Sequence, residues 1–247
     1  MTFDAHPRSS LIVALDFDSL ATAVKFAKQV ADAVGMFKIG SQLFTSAGPE
    51  AVRQVAQLGT GIFLDLKFHD IPNTVAGAVL ASAAMPGVQL VNVHALGGTA
   101  MMRAATQAVS AGVPMGADRT RLLAVTILTS MDQKTMREVG IGGAPKARVV
   151  KLAKLAQKAG VDGVVASVEE AKAIRKVCGR DFLIVTPGVR PKDLSVGKKD
   201  DQSRTATPRE AIKAGADFIV VGRPILSAGD PRAAAQEIVE EIAAAKG

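Results

Sequence analysis

Asp65, Lys67 and Asp70 crowd into one short stretch, where the apolar run from Gly61 reads as a strand ending near Lys67. Side chains alternate across a strand, so Asp65 and Lys67 are expected on the same face. Asp70 follows just past the strand end, and Pro72 forces Ile71 out of the α region before a helix begins. Two unpaired carboxylates at ~4 Å repel by about 4 kcal/mol at an effective dielectric near ~20. A chain carries such a cluster where cations interleave with it, or where its field stabilises a developing charge or moves a proton. A lone Asp-x-Lys is an ordinary strand-end ion pair, so its surroundings decide the reading.

The elements that position this cluster read as alternating strands and helices. Apolar runs at residues 11–16, 36–40, 61–67, 89–94, 122–128, 161–167, 182–186 and 218–221 are separated by helical segments, among them 20–34, 49–58, 73–84, 100–111, 169–177 and 232–245. This order calls for a parallel sheet, and units of this number close an α/β (β/α)8 TIM barrel. The barrel is expected as a single domain over residues 1–247, with residues 1–10 as an N-terminal extension. A doubly wound open sheet is the alternative, but no Gly-rich dinucleotide turn follows the first strand. Barrel sites lie at the C-terminal strand ends, and Asp16, Lys38, Asp65, Lys67 and Asp70 all map there, on the first three strands. Alternation of lysines with carboxylates makes the crowding tolerable.

Composition narrows the class further. At 247 residues and 48% hydrophobic, the chain buries one sizeable core, built without Trp or Tyr. The lone Cys178 rules out an internal disulfide and fits a reducing, cytoplasmic setting. No apolar run approaches the ~20 residues of a membrane span, and the start lacks a signal-peptide core. The net charge of +7 is scattered along helices, with no aromatic-basic platform for nucleic acid. A small anionic substrate explains the excess equally well, through steering.

Two connections are long, residues 130–145 and 190–207. The second mixes Arg190, Lys192, Lys198, Lys199 and Arg204 with Asp193, Asp200 and Asp201, and suits a lid over a phosphate. Gly222 offers close backbone approach and Arg223 a bidentate fork for phosphate oxygens; the plainer reading is a strand end with Pro224 turning the chain. His94 reads as a satisfied barrel-top histidine, His69 as a packing or loop residue, and Cys178 as inert. No transition-metal set is apparent.

The run over residues 65–74 resembles the bacterial-type orotidine 5′-phosphate decarboxylase family, and the resemblance extends from Leu11 to about Leu226. Supporting it are Ala14-Leu15-Asp16, Lys38-Ile39-Gly40, Asn92-Val93-His94-Ala95, Leu128-Thr129-Ser130, Thr186-Pro187-Gly188-Val189-Arg190, Asp200-Asp201-Gln202 and Val221-Gly222-Arg223-Pro224. The resemblance implies a cofactor-independent, metal-free lyase of pyrimidine biosynthesis that converts orotidine 5′-phosphate to UMP. It implies a charged array of Lys38, Asp65, Lys67 and Asp70; loss of carbon dioxide leaves a carbanion at C6 with no electron sink, so Lys67 is expected to stabilise it and act as proton donor to C6. Asp70 and Ile71 would reach into the neighbouring subunit's site of a homodimer. Asp16, Lys38 and Thr74 would contact ribose, Thr129 the pyrimidine amide edge, and Gln202, Gly222 and Arg223 the phosphate; Pro187 and Arg190 join the substrate contacts. Sugar-phosphate lyases with the same Asp-x-Lys-x-x-Asp core use magnesium and an acidic residue where Lys38 stands, so Lys38 argues against them. A barrel-shaped RNA- or nucleotide-binding module is the rival of a different class; +7 allows it, but scattered charge provides no groove.

Overall fold

Each strand is short because one period-2 segment suffices to cross the barrel wall, its residues pointing alternately inward and towards the helices. The computed structural model describes residues 6–111, 119–191 and 206–246. Its strands are β1 (Leu11–Ala14), β2 (Met36–Gly40), β3 (Gly61–Phe68), β4 (Val88–His94), β5 (Arg121–Val125), β6 (Gly163–Val165), β7 (Leu183–Pro187) and β8 (Phe218–Val221). All neighbours pair in parallel, and β8 closes onto β1 through Leu11↔Ile219 and Val13↔Val221, giving the expected (β/α)8 barrel. Ile12, Met36, Phe63, Leu90, Leu123 and Phe218 fill its interior. Val13, Phe37, Leu64, Val91 and Ala124, at the opposite parity, pack beneath the helices.

The helices are α1 (Leu20–Val30), α2 (Ser41–Ala47), α3 (Pro49–Ala56), α4 (Pro72–Ala83), α5 (Gly98–Ala111), α6 (Gln133–Glu138), α7 (Pro145–Lys158), α8 (Val168–Cys178), α9 (Pro208–Lys213), α10 (Arg223–Leu226) and α11 (Pro231–Lys246). Their starts follow local chemistry. Ser167 caps α8 by accepting from Glu169 N, and Thr207 and Glu210 form a capping box on α9. Two segments outside the regular strand–helix units gain local structure. The connection over residues 130–145 is not a plain loop, because Asp132 accepts from Thr135 N at 2.7 Å and starts α6 inside it. Within the N-terminal extension, residues 7–10 form a 3-10 turn with Ser10 buried.

At the N-terminal rim, opposite the expected site, two aspartates tie strands together. Asp162, just before β6, accepts from Leu122 N of β5 at 2.8 Å and from Arg119 and Arg121. Asp217, just before β8, accepts from Ile184 N of β7 and from Arg175, both at 2.7 Å. Arg175, in the last turn of α8, also donates to the carbonyls of Gly179, Arg180, Phe182 and Gly215. Its removal strands several acceptors and the half-buried Asp217 carboxylate. Arg175→Ala is expected to lose about 3 kcal/mol of stability, read as a lower urea midpoint. Turnover of the folded variant should be unchanged, since the clamp lies at the rim away from the site.

Candidate active site

The inward parity that is apolar in the middle of the barrel turns polar at its C-terminal rim. Ile12 and Ala14 are followed by Asp16, Met36 by Lys38, Phe63 by Asp65, and Leu90 by Asn92. Lys38 Nζ lies 3.2 Å from Asp16 Oδ1 and 3.5 Å from Asp65 Oδ2. Lys67 Nζ donates to Asp65 Oδ1 at 2.7 Å. The order of charges is therefore Asp16, Lys38, Asp65, Lys67, alternating in sign. Gly40, two residues beyond Lys38 on the same face, leaves the space this requires: a Cβ there would sit 2.8 Å from Lys38 Nζ.

Asp65 and Lys67 meet as the alternation rule expects, but not through a regular pleat. Leu64 pairs with Val91 and Phe68 with Val93, so β3 bulges between them relative to β4. Lys67 sits in this bulge at φ 53°. Its N–H donates to Asn92 Oδ1 at 2.8 Å, while Asn92 Nδ2 donates to Asp65 Oδ1 at 2.6 Å. Asn92 is fully buried; it belongs to the Asn92-Val93-His94-Ala95 motif, which implies no role for it.

Burial pushes the Asp65 carboxyl up, yet the Lys38 and Lys67 ammoniums, with the hydrogen bonds from Lys67 and Asn92, outweigh it and hold the group below its ordinary value. His94 departs from its expected satisfied state: its Nδ1 is buried with no hydrogen-bond partner among the described residues. Burial, then the nearby His69 and Lys67 charges, lower its pKa and favour the neutral ring. The His69 and His94 rings lie 5.5 Å apart. Burial also raises the Cys178 thiol, disfavouring a reactive thiolate.

A cavity of about 1050 Å³ opens above this array and is lined by Asp16, Lys38, Asp65 and Lys67. Thr129, Pro187, Arg190, Gly222 and Arg223 line the same cavity, from the loops after β5 and β7, the end of β7 itself and the turn from β8 into α10. A Cβ at Gly222 would meet only Ala14 and Asp16, at ordinary contact distances of 3.6 and 3.7 Å. α11 adds Ala233, Ala234 and Glu237, which no motif announces. Asp70, Ile71 and Thr74 are exposed and stand outside this lining. Asp70 Oδ1 accepts from Ile71 N at 2.6 Å and makes no ion pair among the described residues. Gln202 and the lid cations Lys192, Lys198, Lys199 and Arg204 lie outside the described residues; the base of that connection is closed by Arg190 N donating to Ala206 O at 2.9 Å. Among the described residues, no three His, Cys, Asp or Glu side chains group as metal ligands, and no helix is long and apolar enough to cross a membrane.

Comparison with known proteins bears directly on this arrangement. A family model described as orotidine 5′-phosphate decarboxylase / HUMPS family matches residues 9–238. An orotidine 5′-phosphate decarboxylase of Trichlorobacter lovleyi is 55% identical over 244 residues, covering 99% of both chains. That of Geotalea uraniireducens is 52% identical over 247 residues, covering 100% of both. The crystal structure of orotidine 5′-phosphate decarboxylase from Lactobacillus acidophilus superposes with a TM-score of 0.83 at 41% identity, over 94% of this chain and 98% of that one.

The Asp65 shift has a definite pH consequence. A carboxyl held below its unfolded value contributes stability fully above the unfolded pKa of ~3.9, and that contribution is lost as pH falls through the folded value. Urea midpoints across a pH series are therefore expected to show a level difference between wild type and Asp65→Asn above about pH 5, with wild type losing stability relative to the variant below about pH 4.

Proposed function

The chain belongs to the orotidine 5′-phosphate decarboxylase / HUMPS family, and on that premise we propose that it decarboxylates orotidine 5′-phosphate to UMP in pyrimidine biosynthesis, without metal or cofactor. The observation that carries this reading is Lys67, held 2.7 Å from a buried carboxylate on the wall of a nucleotide-sized cavity. In the proposed chemistry the bond between C6 and the substrate carboxylate breaks heterolytically, carbon dioxide departs and the electron pair stays on C6. Lys67 stabilises that carbanion and then gives it a proton, the work of a preorganised cation in a site shielded from water. Asp65 lies beside the substrate carboxylate and disfavours it, while Lys38 holds Asp65 in place.

Remote binding energy drives this juxtaposition. Arg223 and Gly222, with Arg190 and Gln202, take the phosphate; Asp16 and Lys38 take the ribose, Thr129 the pyrimidine amide edge, and Pro187 lines the wall. Asp70, Ile71 and Thr74 have no place in their own chain's cavity, and Ile71 is 66% exposed at the start of α4. An exposed apolar residue and a carboxylate without an ion pair among the described residues, just ahead of a helix without charged side chains, suit an interface. In this reading two chains pair in the cytoplasm, and the stretch from Asp70 to Thr74 completes the partner's site, Asp70 joining the partner's Lys/Asp array.

A decarboxylation assay following the absorbance loss of orotidylate is expected to show turnover that EDTA leaves unchanged and that Lys67→Ala lowers by ~10²–10⁴-fold. Near-normal turnover in Lys67→Ala would remove the proton donor from the scheme. Site sharing gives a second expectation. Lys67→Ala and Asp70→Asn proteins, each impaired alone, recover about one quarter of wild-type activity after mixing and reassociation in equal amounts, because half the dimers are hybrids with one intact site. Mixing without recovery points to sites built within one chain.

A further inference from the structure

We propose that Asn92 is a positioning residue that aims both Asp65 and Lys67, an inference that rests on the decarboxylase reading of the site. Asn92 points into the barrel from β4 and is fully buried. A buried amide is expensive unless its donors and acceptor are engaged, and here the partners are the two residues assigned to the chemistry. Nδ2 donates to Asp65 Oδ1 at 2.6 Å, the oxygen that also takes Lys67 Nζ at 2.7 Å. Oδ1 accepts from Lys67 N at 2.8 Å. The two contacts fix the amide orientation, because a carboxylate only accepts and a peptide N–H only donates.

The backbone contact has its own consequence. Lys67 is the one non-glycine residue with positive φ among the described residues. Left-handed backbone at a residue with a Cβ is unfavourable, so the environment has to hold it. At the bulge, where β3 falls out of step with β4, the Asn92 side chain takes the N–H of Lys67. One side chain therefore fixes the root of the Lys67 stem and the rotation of the carboxylate that its ammonium meets. Asn92 itself touches no reacting atom in this scheme; it acts through the pair.

Two variants test this. Asn92→Leu keeps the approximate volume and removes both contacts, and is expected to lower kcat by about 10- to 100-fold, the weight of a buried hydrogen bond to a charged group, with affinity for UMP little changed. Asn92→Asp keeps the shape and introduces a carboxyl against Asp65. Protonated, it still donates to Asp65 and accepts from Lys67; ionised, it repels Asp65. Its kcat relative to wild type is expected to approach unity at acidic pH and to fall as pH rises through the apparent pKa of the carboxyl pair, while UMP affinity stays level. A merely structural role gives no such pH dependence of the ratio. The inference is overturned if that ratio is flat from about pH 5 to about pH 9, or if UMP affinity falls as much as kcat. Should Asn92→Leu fail to fold, the Asn92→Asp profile decides alone. Wild-type protein without turnover overturns the decarboxylase reading and this inference together; active wild type with a flat Asn92→Asp ratio overturns only the role of Asn92.

Discussion

Asp65 keeps a negative charge inside the protein, and the residue types around it follow from that requirement. Burying a carboxylate costs several kcal/mol after relaxation and is tolerated only with cations and donors in good geometry. Lys38 meets one oxygen, while Lys67 and Asn92 meet the other. Lys38 in turn reaches Asp16 across space left by Gly40. Removing any one of these leaves the others uncompensated. An apolar set of the same volume would often be as stable or more so. Stability alone does not call for this array; in the proposed reaction it is charge placed in advance.

Placement of that charge depends on a local break in the sheet. A regular β3 would keep Lys67 in the ladder with β4. The bulge between Leu64 and Phe68 releases it into a left-handed backbone whose N–H is taken by a side chain. Such backbone strain clusters where geometry serves function. The rest of the barrel supplies rigidity: close-packed interior residues lie beneath the rim, and strand pairing runs without other irregularity from β4 round to β3.

Much of this is legible in the sequence, for physical reasons. Parallel strands buried on both faces read as apolar runs, and β2 and β8 fall at the expected residues. Where β1, β5 and β6 end earlier than their runs, the remaining apolar residues, such as Ile127 and Leu128, leave the sheet and line the cavity. Hydrophobicity reports burial and does not distinguish a strand from a buried rim. α2 escapes notice because it is short and bounded by Gly40 and Gly48, which read as loop signals. The meeting of Asp65 and Lys67 follows from parity, although a bulge achieves it. Asn92 carries no charge and belongs to an apolar run, so the motif that contains it gives it no role. The idle Nδ1 of His94 is equally silent, since satisfaction of a ring nitrogen depends on residues far away in sequence.

The two rims of the barrel use carboxylates in opposite ways. At the N-terminal rim Asp162 and Asp217 accept from the strand N–H groups of Leu122 and Ile184, with arginines completing the set. Backbone donors cannot move without opening the sheet, so these contacts lock strands in register. At the C-terminal rim Asp65 accepts only from side chains, two of them ammoniums on long flexible stems. In the proposed reaction those partners can turn towards the substrate's charge without disturbing a strand. A carboxylate bound to backbone would be fixed and spent; one bound to lysines remains available, at an energetic cost that the clamped rim opposite helps to offset.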